Sequence, residues 1–217
     1  MTTIARFFQE GGGYMYWIAL TSVFALGIII ERFVFIFFKY SVNSKAFMEQ
    51  IRKLIAQNNI DRAIKLCNAA PSAALPQVIK AALTRANKGE WEVSNAIETT
   101  TLRVAPEVSK RTNSLQALAN VATLLGLLGT IMGLIQAFDA LAGADPSEKA
   151  EMLASGISVA MNTTAFGLII AIPCMLVHVF LSNQVAKILN EVDEQSTKVT
   201  NLLTARYKTM VETGQIR

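Results

Sequence analysis

The chain has 217 residues, of which 52% are hydrophobic and 17% charged, and its mean hydropathy is +0.38. This composition excludes an ordinary soluble domain and favours a membrane protein. The net charge of +4 is spread unevenly along the chain, so it does not indicate nucleic-acid binding. Two cysteines, Cys67 and Cys174, are too few for a disulfide framework or a cysteine metal site, and we expect reduced thiols.

The N-terminal region combines a short apolar cluster with a membrane span. In residues 1–13, apolar side chains followed by three glycines predict an interfacial helix on the periplasmic side, with a disordered tail as the alternative. Residues 14–38 are uncharged except at Glu31 and Arg32, and as a helix they would be roughly 37 Å long, enough to cross a bilayer. A cleaved signal peptide is the alternative, but it needs a basic leader and a small-residue cleavage site after the apolar run. This sequence has ERFVF at that point instead.

Residues 39–112 predict a small helical domain. Four stretches have apolar residues at helical spacing, and Asn-Asn, Pro71, Lys88-Gly89 and Pro106 separate them. We expect no β-strand or phosphate-binding loop in this region.

Two further spans follow, at residues 113–138 and 152–182, because residues 113–138 and 152–186 carry no Asp, Glu, Lys or Arg. The region 39–112 has 12 basic and 6 acidic residues, whereas the loop 139–151 has 1 basic and 4 acidic residues. The positive-inside rule therefore places the helical domain and the C-terminus in the cytoplasm, and the N-terminus and the loop outside. The sequence thus predicts an all-α integral membrane protein with three transmembrane helices.

The C-terminal region, residues 183–217, predicts a helix that continues the third span. Its apolar residues recur at roughly heptad spacing, so we expect it to pack against copies of itself. An amphipathic helix lying on the helical domain is the alternative. The apolar positions are Val185, Leu189, Val192, Val199, Leu203 and Met210.

Small residues line one face of each of the last two spans. Helices in lipid associate through close packing, which glycine and alanine permit. We predict that these faces bring the second and third spans together, and that Pro173 kinks the third. The packing residues are Gly126, Gly129, Gly133, Gly156, Ala160, Gly167 and Pro173.

The polar residues of these spans are candidates for an ion pathway, since polar groups in a membrane prefer a bundle interior or a water-filled path. They are Thr130 in the second span and Asn162, Thr163 and Thr164 in the third. Glu31, Arg32 and His178 are expected at the cytoplasmic interface. Neither span contains Asp or Glu, so a cation-carrying carboxylate would have to come from another chain. No residue pattern indicates an enzyme, a metal site or a bound cofactor.

The sequence resembles the MotA/TolQ/ExbB proton-channel family, and is most similar to its ExbB and TolQ branch. The resemblance covers nearly the whole chain. It rests on GGGYMYWIALTSVFALGIIIERF, DRAIKLCNAAPSAALPQVIKAAL, LLGLLGTIMGLIQAF and SGISVAMNTTAFGLIIAIPCMLVH.

The resemblance implies a pentameric ring in the bacterial inner membrane that encloses the single-span helices of an ExbD/TolR-like partner, whose membrane Asp carries the ion. By motif position, Thr130 and Thr164 would face that Asp. Ion flow, of H⁺ or alternatively Na⁺, would drive mechanical work on the cell envelope, with a TonB/TolA-like energy transducer as a further partner.

The sequence departs from the family at two positions. Val159 replaces the usual third-span Glu of the ExbB and TolQ branch, and Thr123 replaces a common Pro. Val159 keeps open a flagellar- or gliding-type stator subunit and a non-conducting membrane scaffold.

Overall fold

A computed structural model describes residues 12–40, 43–141, 145 and 147–213 of the chain. Most of the predicted interfacial segment 1–13, and part of the loop 139–151, lie outside the described residues. Every regular element in the described ranges is helical. In chain order the α-helices are α1 (Tyr14–Val34), α2 (Ser44–Ala56), α3 (Ile60–Asn68), α4 (Ala74–Thr84), α5 (Glu90–Ser109), α6 (Thr112–Leu141) and α7 (Lys149–Glu212).

Helix α1 continues into a π-helical turn, Phe35–Tyr40, so the helical run includes the predicted first span. One stripe of α1 is buried against the rest of the chain, including Met15 and Ile18. The opposite face is apolar and exposed: Trp17 is 61% exposed and Phe24 is 60% exposed. Large apolar side chains exposed along a whole helix face are expected where lipid replaces water.

Three helical segments in the described ranges are long and apolar enough to cross a membrane, and they lie in Tyr14–Phe38, Glu90–Leu141 and Lys149–Glu212. In each segment, a window of 18 residues has a mean hydropathy of at least 2.0. No more than 28% of that window is buried within the chain. The protein is therefore an all-helical, multi-pass membrane protein.

The chain forms two compact units. One contains the described part of Met1–Arg32 together with Arg111–Phe180, and the other contains Phe33–Lys110 together with Leu181–Arg217. The first unit holds most of the apolar spans. The second holds the last residues of the first span, Phe33–Phe38, together with the helical domain and the C-terminal part of α7.

The helical domain is built from α2 to α5, and its helix boundaries follow local sequence signals. The side chain of Asn43 accepts a hydrogen bond from the Ala46 amide at the start of α2. Gly89 precedes α5 with φ of +91°, a conformation that other residues rarely adopt.

Pro106 does not end a helix as the sequence indicated. It lies inside α5, which continues to Ser109. A proline removes one backbone hydrogen bond and strains the preceding turn, and packing of α5 compensates, since Val104 and Val108 on either side of it are buried. The boundary instead lies at Arg111, which has φ of +59° between α5 and α6.

Helix α7 runs for 64 residues, about 96 Å, through Pro173 and on past the apolar segment. The prediction that its C-terminal apolar positions pack against copies of the chain is wrong for four of them, because they are already buried within the single chain. Arg206 of α7 also donates hydrogen bonds to the side chains of Asn58 and Asn87. The four buried positions are Val185, Val192, Val199 and Leu203.

Candidate functional site

Helices α6 and α7 meet along a seam of small residues in the first unit. A Cβ atom added at Gly129 would lie 2.7 Å from the Cβ of Thr163, and one added at Gly167 would lie 2.7 Å from the carbonyl oxygen of Ala122. Distances this short leave no room for a methyl group, so glycine is required for this approach. A Cβ atom added at Gly126 or Gly133 would be less crowded, at 3.2 Å from the Thr163 carbonyl oxygen or 3.1 Å from the Ala160 nitrogen, whereas one added at Gly156 would overlap the Ala137 side chain.

Two of the predicted polar residues meet across this seam. The side-chain oxygens of Thr130 and Thr164 hydrogen bond to each other, and either can be the donor. The carbonyl oxygen of Gly126 lies 3.1 Å from each hydroxyl, and that of Ala160 lies 3.4 Å from Thr130. Both threonines are partly exposed in the single chain, so this pair is open to a further group.

Four oxygen atoms therefore converge at one point: two hydroxyls and two backbone carbonyls. Two hydroxyl groups supply only two protons, and each hydroxyl oxygen also has two lone pairs. If one hydroxyl donates to the other, the second can donate to the Gly126 carbonyl or to an added acceptor such as a carboxylate. The pair can thus donate to an anion, or offer lone pairs to a hydrated or bare cation.

Thr163, next in the chain to Thr164, has a different role. It is fully buried, and its hydroxyl donates to carbonyl oxygens of its own helix, at Ala160 (2.8 Å) and Val159 (3.2 Å). Its side chain fills the space over Gly129. Bonding back to the same helix is a common way to satisfy a threonine in a membrane helix, and it leaves Thr163 as a packing residue. Asn162 is half-buried and is not part of the Thr130–Thr164 pair.

Pro173 is exposed in the single chain and lies outside the seam, although the sequence grouped it with the packing residues. The described residues contain no group of three or more His, Cys, Asp or Glu side chains that could hold a metal ion.

A second polar cluster lies where α1 nears its end and α6 begins. Arg111 Nη1 donates to both carboxylate oxygens of Glu31, at 2.6 and 2.5 Å, and Arg32 Nη2 lies 3.6 Å from the same carboxylate. Arg32 is buried, with 2% of its surface exposed. His178 Nδ1 lies 2.9 Å from the carbonyl oxygen of Thr112.

The sequence singled out Glu31, Arg32 and His178 but missed Arg111. No periodicity marks this residue, and its left-handed backbone conformation is visible only in the structure. The sequence feature that could have identified Arg111 is its position just before the uncharged run 113–138. A cation at the end of one span can pair with an acid at the end of another.

Comparison with known proteins agrees with this architecture. Residues 70–194 match the model of the MotA/TolQ/ExbB proton channel family. An ExbB homolog of Methanothermobacter thermautotrophicus, named for biopolymer transport, is 25% identical over 200 residues, which are 92% of this chain and 70% of that protein. The biopolymer transport protein ExbB-like 3 of Synechocystis is 30% identical over 71% of this chain and 73% of its own length.

The Tol-Pal system protein TolQ of Haemophilus influenzae is 36% identical over 99 residues, which are 44% of this chain and 43% of that protein. Since the family match includes the second and third spans and more than half of the chain, this multi-pass membrane protein belongs to the MotA/TolQ/ExbB proton channel family.

Proposed function

We propose that the chain is the ring-forming subunit of an ion-driven motor in the bacterial inner membrane. The observation that carries this proposal is the Thr130–Thr164 hydroxyl pair, which lies between two spans that contain no carboxylate. A membrane energy-transducing subunit also fits the family and relatives named ExbB and TolQ.

A partner must supply the group that carries the ion. An ExbD/TolR-like protein with one membrane span and an Asp in that span fits this need, because its carboxylate would accept hydrogen bonds from Thr130 or Thr164 when ionised. Hydrogen bonds to a charged group contribute about 1.5–3 kcal/mol each. Protonation weakens them, so the Asp binds the threonines and leaves them as its charge changes.

This alternation couples ion flow to movement. Five copies of the chain, arranged as a ring, would offer the partner five equivalent threonine pairs, and successive binding would turn ring and partner relative to each other. The energy available is about 2.3 kcal/mol per charge for each 100 mV. We propose that a TonB/TolA-like transducer receives the motion, with the N-terminus periplasmic and the C-terminus cytoplasmic.

We propose H⁺ as the ion, with Na⁺ as the alternative. A hydroxyl pair beside a carboxylate suits a proton wire, and the same four oxygen atoms could ligate Na⁺. Activity that persists without Na⁺ but collapses with a protonophore supports H⁺. Activity that requires Na⁺ contradicts it.

A non-conducting scaffold is the second candidate, and Val159 favours it. The resemblance to the ExbB and TolQ branch implies a Glu at the position of Val159, so the chain would lack one carboxylate of that branch. The tight α6–α7 seam would serve a scaffold as well as a motor.

Native mass spectrometry distinguishes the motor from the scaffold. The tagged protein is extracted gently from its own host membrane for this measurement. A pentamer that carries a small single-span protein with a membrane Asp supports the motor. A ring that has no such partner under the same extraction contradicts it and favours the scaffold.

A further inference from the structure

A small cavity lies in the second unit, next to the end of the first candidate span and just beyond the uncharged part of α7. Its volume is about 270 Å³. The π-helical turn that ends the first span, the start of α2 and the part of α7 just beyond the third span enclose it. Its lining residues are Ile36, Phe37, Asn43, Ser44, Lys45, Gln184, Lys187, Ile188 and Glu191.

The lining of the cavity is amphipathic. Ile36, Phe37 and Ile188 supply apolar surface, whereas Lys45, Lys187 and several neutral polar groups supply hydrogen-bond donors. Two lysines outnumber the single acidic residue, Glu191, and none of the three forms an ion pair within the described ranges. The cavity is therefore suited to an anion that is attached to an apolar body.

The position of the cavity relative to the bilayer follows from the two chain segments that line it. Ile36 and Phe37 are among the last residues of the candidate span Tyr14–Phe38. Lys187 is the first Lys or Arg after the uncharged run 152–186. Both chain segments thus reach the cavity at the boundary between hydrocarbon and water, which is where lipid head groups lie.

We propose that this cavity binds the head group of a glycerophospholipid, with the phosphate diester between Lys45 and Lys187. The acyl chains would extend along the apolar end of the first span, where Phe37 of the π-helical turn stacks on Phe33. A volume of 270 Å³ equals about nine water molecules, which is room for a phosphate with its glycerol or ethanolamine substituent. Glu191 would then accept a hydrogen bond from that substituent.

A lipid bound in this cavity would connect three segments of the chain. One head group would contact the π-helical turn, the beginning of α2 and the middle of α7, and so hold these three segments of the second unit together. This inference does not depend on the ion or on the partner of the proposed motor.

The test is lipid retention measured by native mass spectrometry. The full chain is purified in dodecyl maltoside, and phosphatidylglycerol or phosphatidylethanolamine is added back after delipidation. We expect the wild-type chain to bind either phospholipid, and the K45Q/K187Q double variant to bind each roughly tenfold more weakly or worse. A K45R/K187R variant should bind like wild type, since it keeps both charges.

The matched control is K53Q/K198Q, which removes two lysines from the same two helices, at positions that pair with Glu49 and Glu194 instead of lining the cavity. Equal phospholipid binding by K45Q/K187Q and K53Q/K198Q would overturn the proposal. So would a wild-type chain that binds inorganic phosphate but retains neither lipid, because the site would then serve a free anion. Thermal unfolding of each variant, followed by circular dichroism, shows whether weaker lipid binding comes from misfolding. If K45Q/K187Q is misfolded, K45R/K187R becomes the test, and weak phospholipid binding by a folded K45R/K187R would contradict the proposal.

Discussion

Thr130 and Thr164 hydrogen bond through their side-chain oxygens, and both also lie 3.1 Å from the same acceptor, the carbonyl oxygen of Gly126. One threonine comes from α6 and the other from α7, so the pair exists only where the two helices pack closely. The glycines permit this approach and the hydroxyls form the pair, so substitutions at the two kinds of residue should have different effects.

Replacing Thr130 or Thr164 by Val removes one hydroxyl and keeps the shape of the side chain. We expect ion flux through the complex with its native partner to fall about tenfold to a hundredfold, as the loss of a hydrogen bond to a charged group predicts. Flux into proteoliposomes is the measurement. Thr163→Val is the control, because Thr163 bonds only to its own helix, and it should retain flux. Normal flux in both Thr130→Val and Thr164→Val would contradict the motor.

Replacing Gly156 by Ala should weaken the α6–α7 seam. The new methyl group would overlap the Ala137 side chain and lie 3.2 Å from the Gly133 carbonyl oxygen, and overpacking of this kind costs about 1–3 kcal/mol. The free energy of unfolding in mixed detergent micelles checks this. Gly27→Ala is the matched control in α1, since a Cβ atom there meets nothing within 4 Å. If both variants lose equal stability, the seam is not the cause.

The pairing of Glu31 with Arg111 should appear as a coupling free energy. In a double-mutant cycle with Glu31→Gln and Arg111→Gln, we expect a coupling of about 1 kcal/mol, since 28% of Glu31 and 49% of Arg111 are exposed. The same cycle on the more exposed pair Glu49 and Lys53 should give a smaller value. A coupling near zero between Glu31 and Arg111 would show that the contact does not stabilise the fold.

Cys67 should make stability depend on alkaline pH. Burial raises the pKa of this thiol from 9.0 to about 11, outweighing the opposite effect of Lys80. Between about pH 9 and 11 the unfolded thiol ionises while the folded thiol stays protonated, so stability falls as pH rises through this range. The quantity to compare is the pH slope of stability of wild type against that of Cys67→Ala, since contributions from all other groups cancel in this comparison. Equal slopes would show that Cys67 does not contribute.

Much of the fold follows from residue order. The uncharged runs predict three spans because backbone groups in lipid must be satisfied within a helix, and the length of each run must match the bilayer. The apolar spacing within residues 39–112 likewise predicts a helical domain. The structure corrects this reading at Pro106, where packing on both sides overrides the local preference of proline.

The candidate site can be predicted only in part from the sequence. Asn162, Thr163 and Thr164 are adjacent polar residues, and nothing in their order tells which one faces Thr130. The rotation of α7 about its axis decides this, and contacts such as that of Gly167 with Ala122 fix the rotation. The same holds for Arg111, whose partner Glu31 is 80 positions away in the chain.

The membrane class, the three spans, the small-residue faces and the absence of an acid from the last two spans can be read from the residue order, because they depend on local composition and helical period. The docked helices alone reveal that Thr164 pairs with Thr130, that Thr163 serves packing, and that Val185, Val192, Val199 and Leu203 are buried within the single chain. These features depend on contacts between residues far apart in the chain, and such contacts form only when the helices dock.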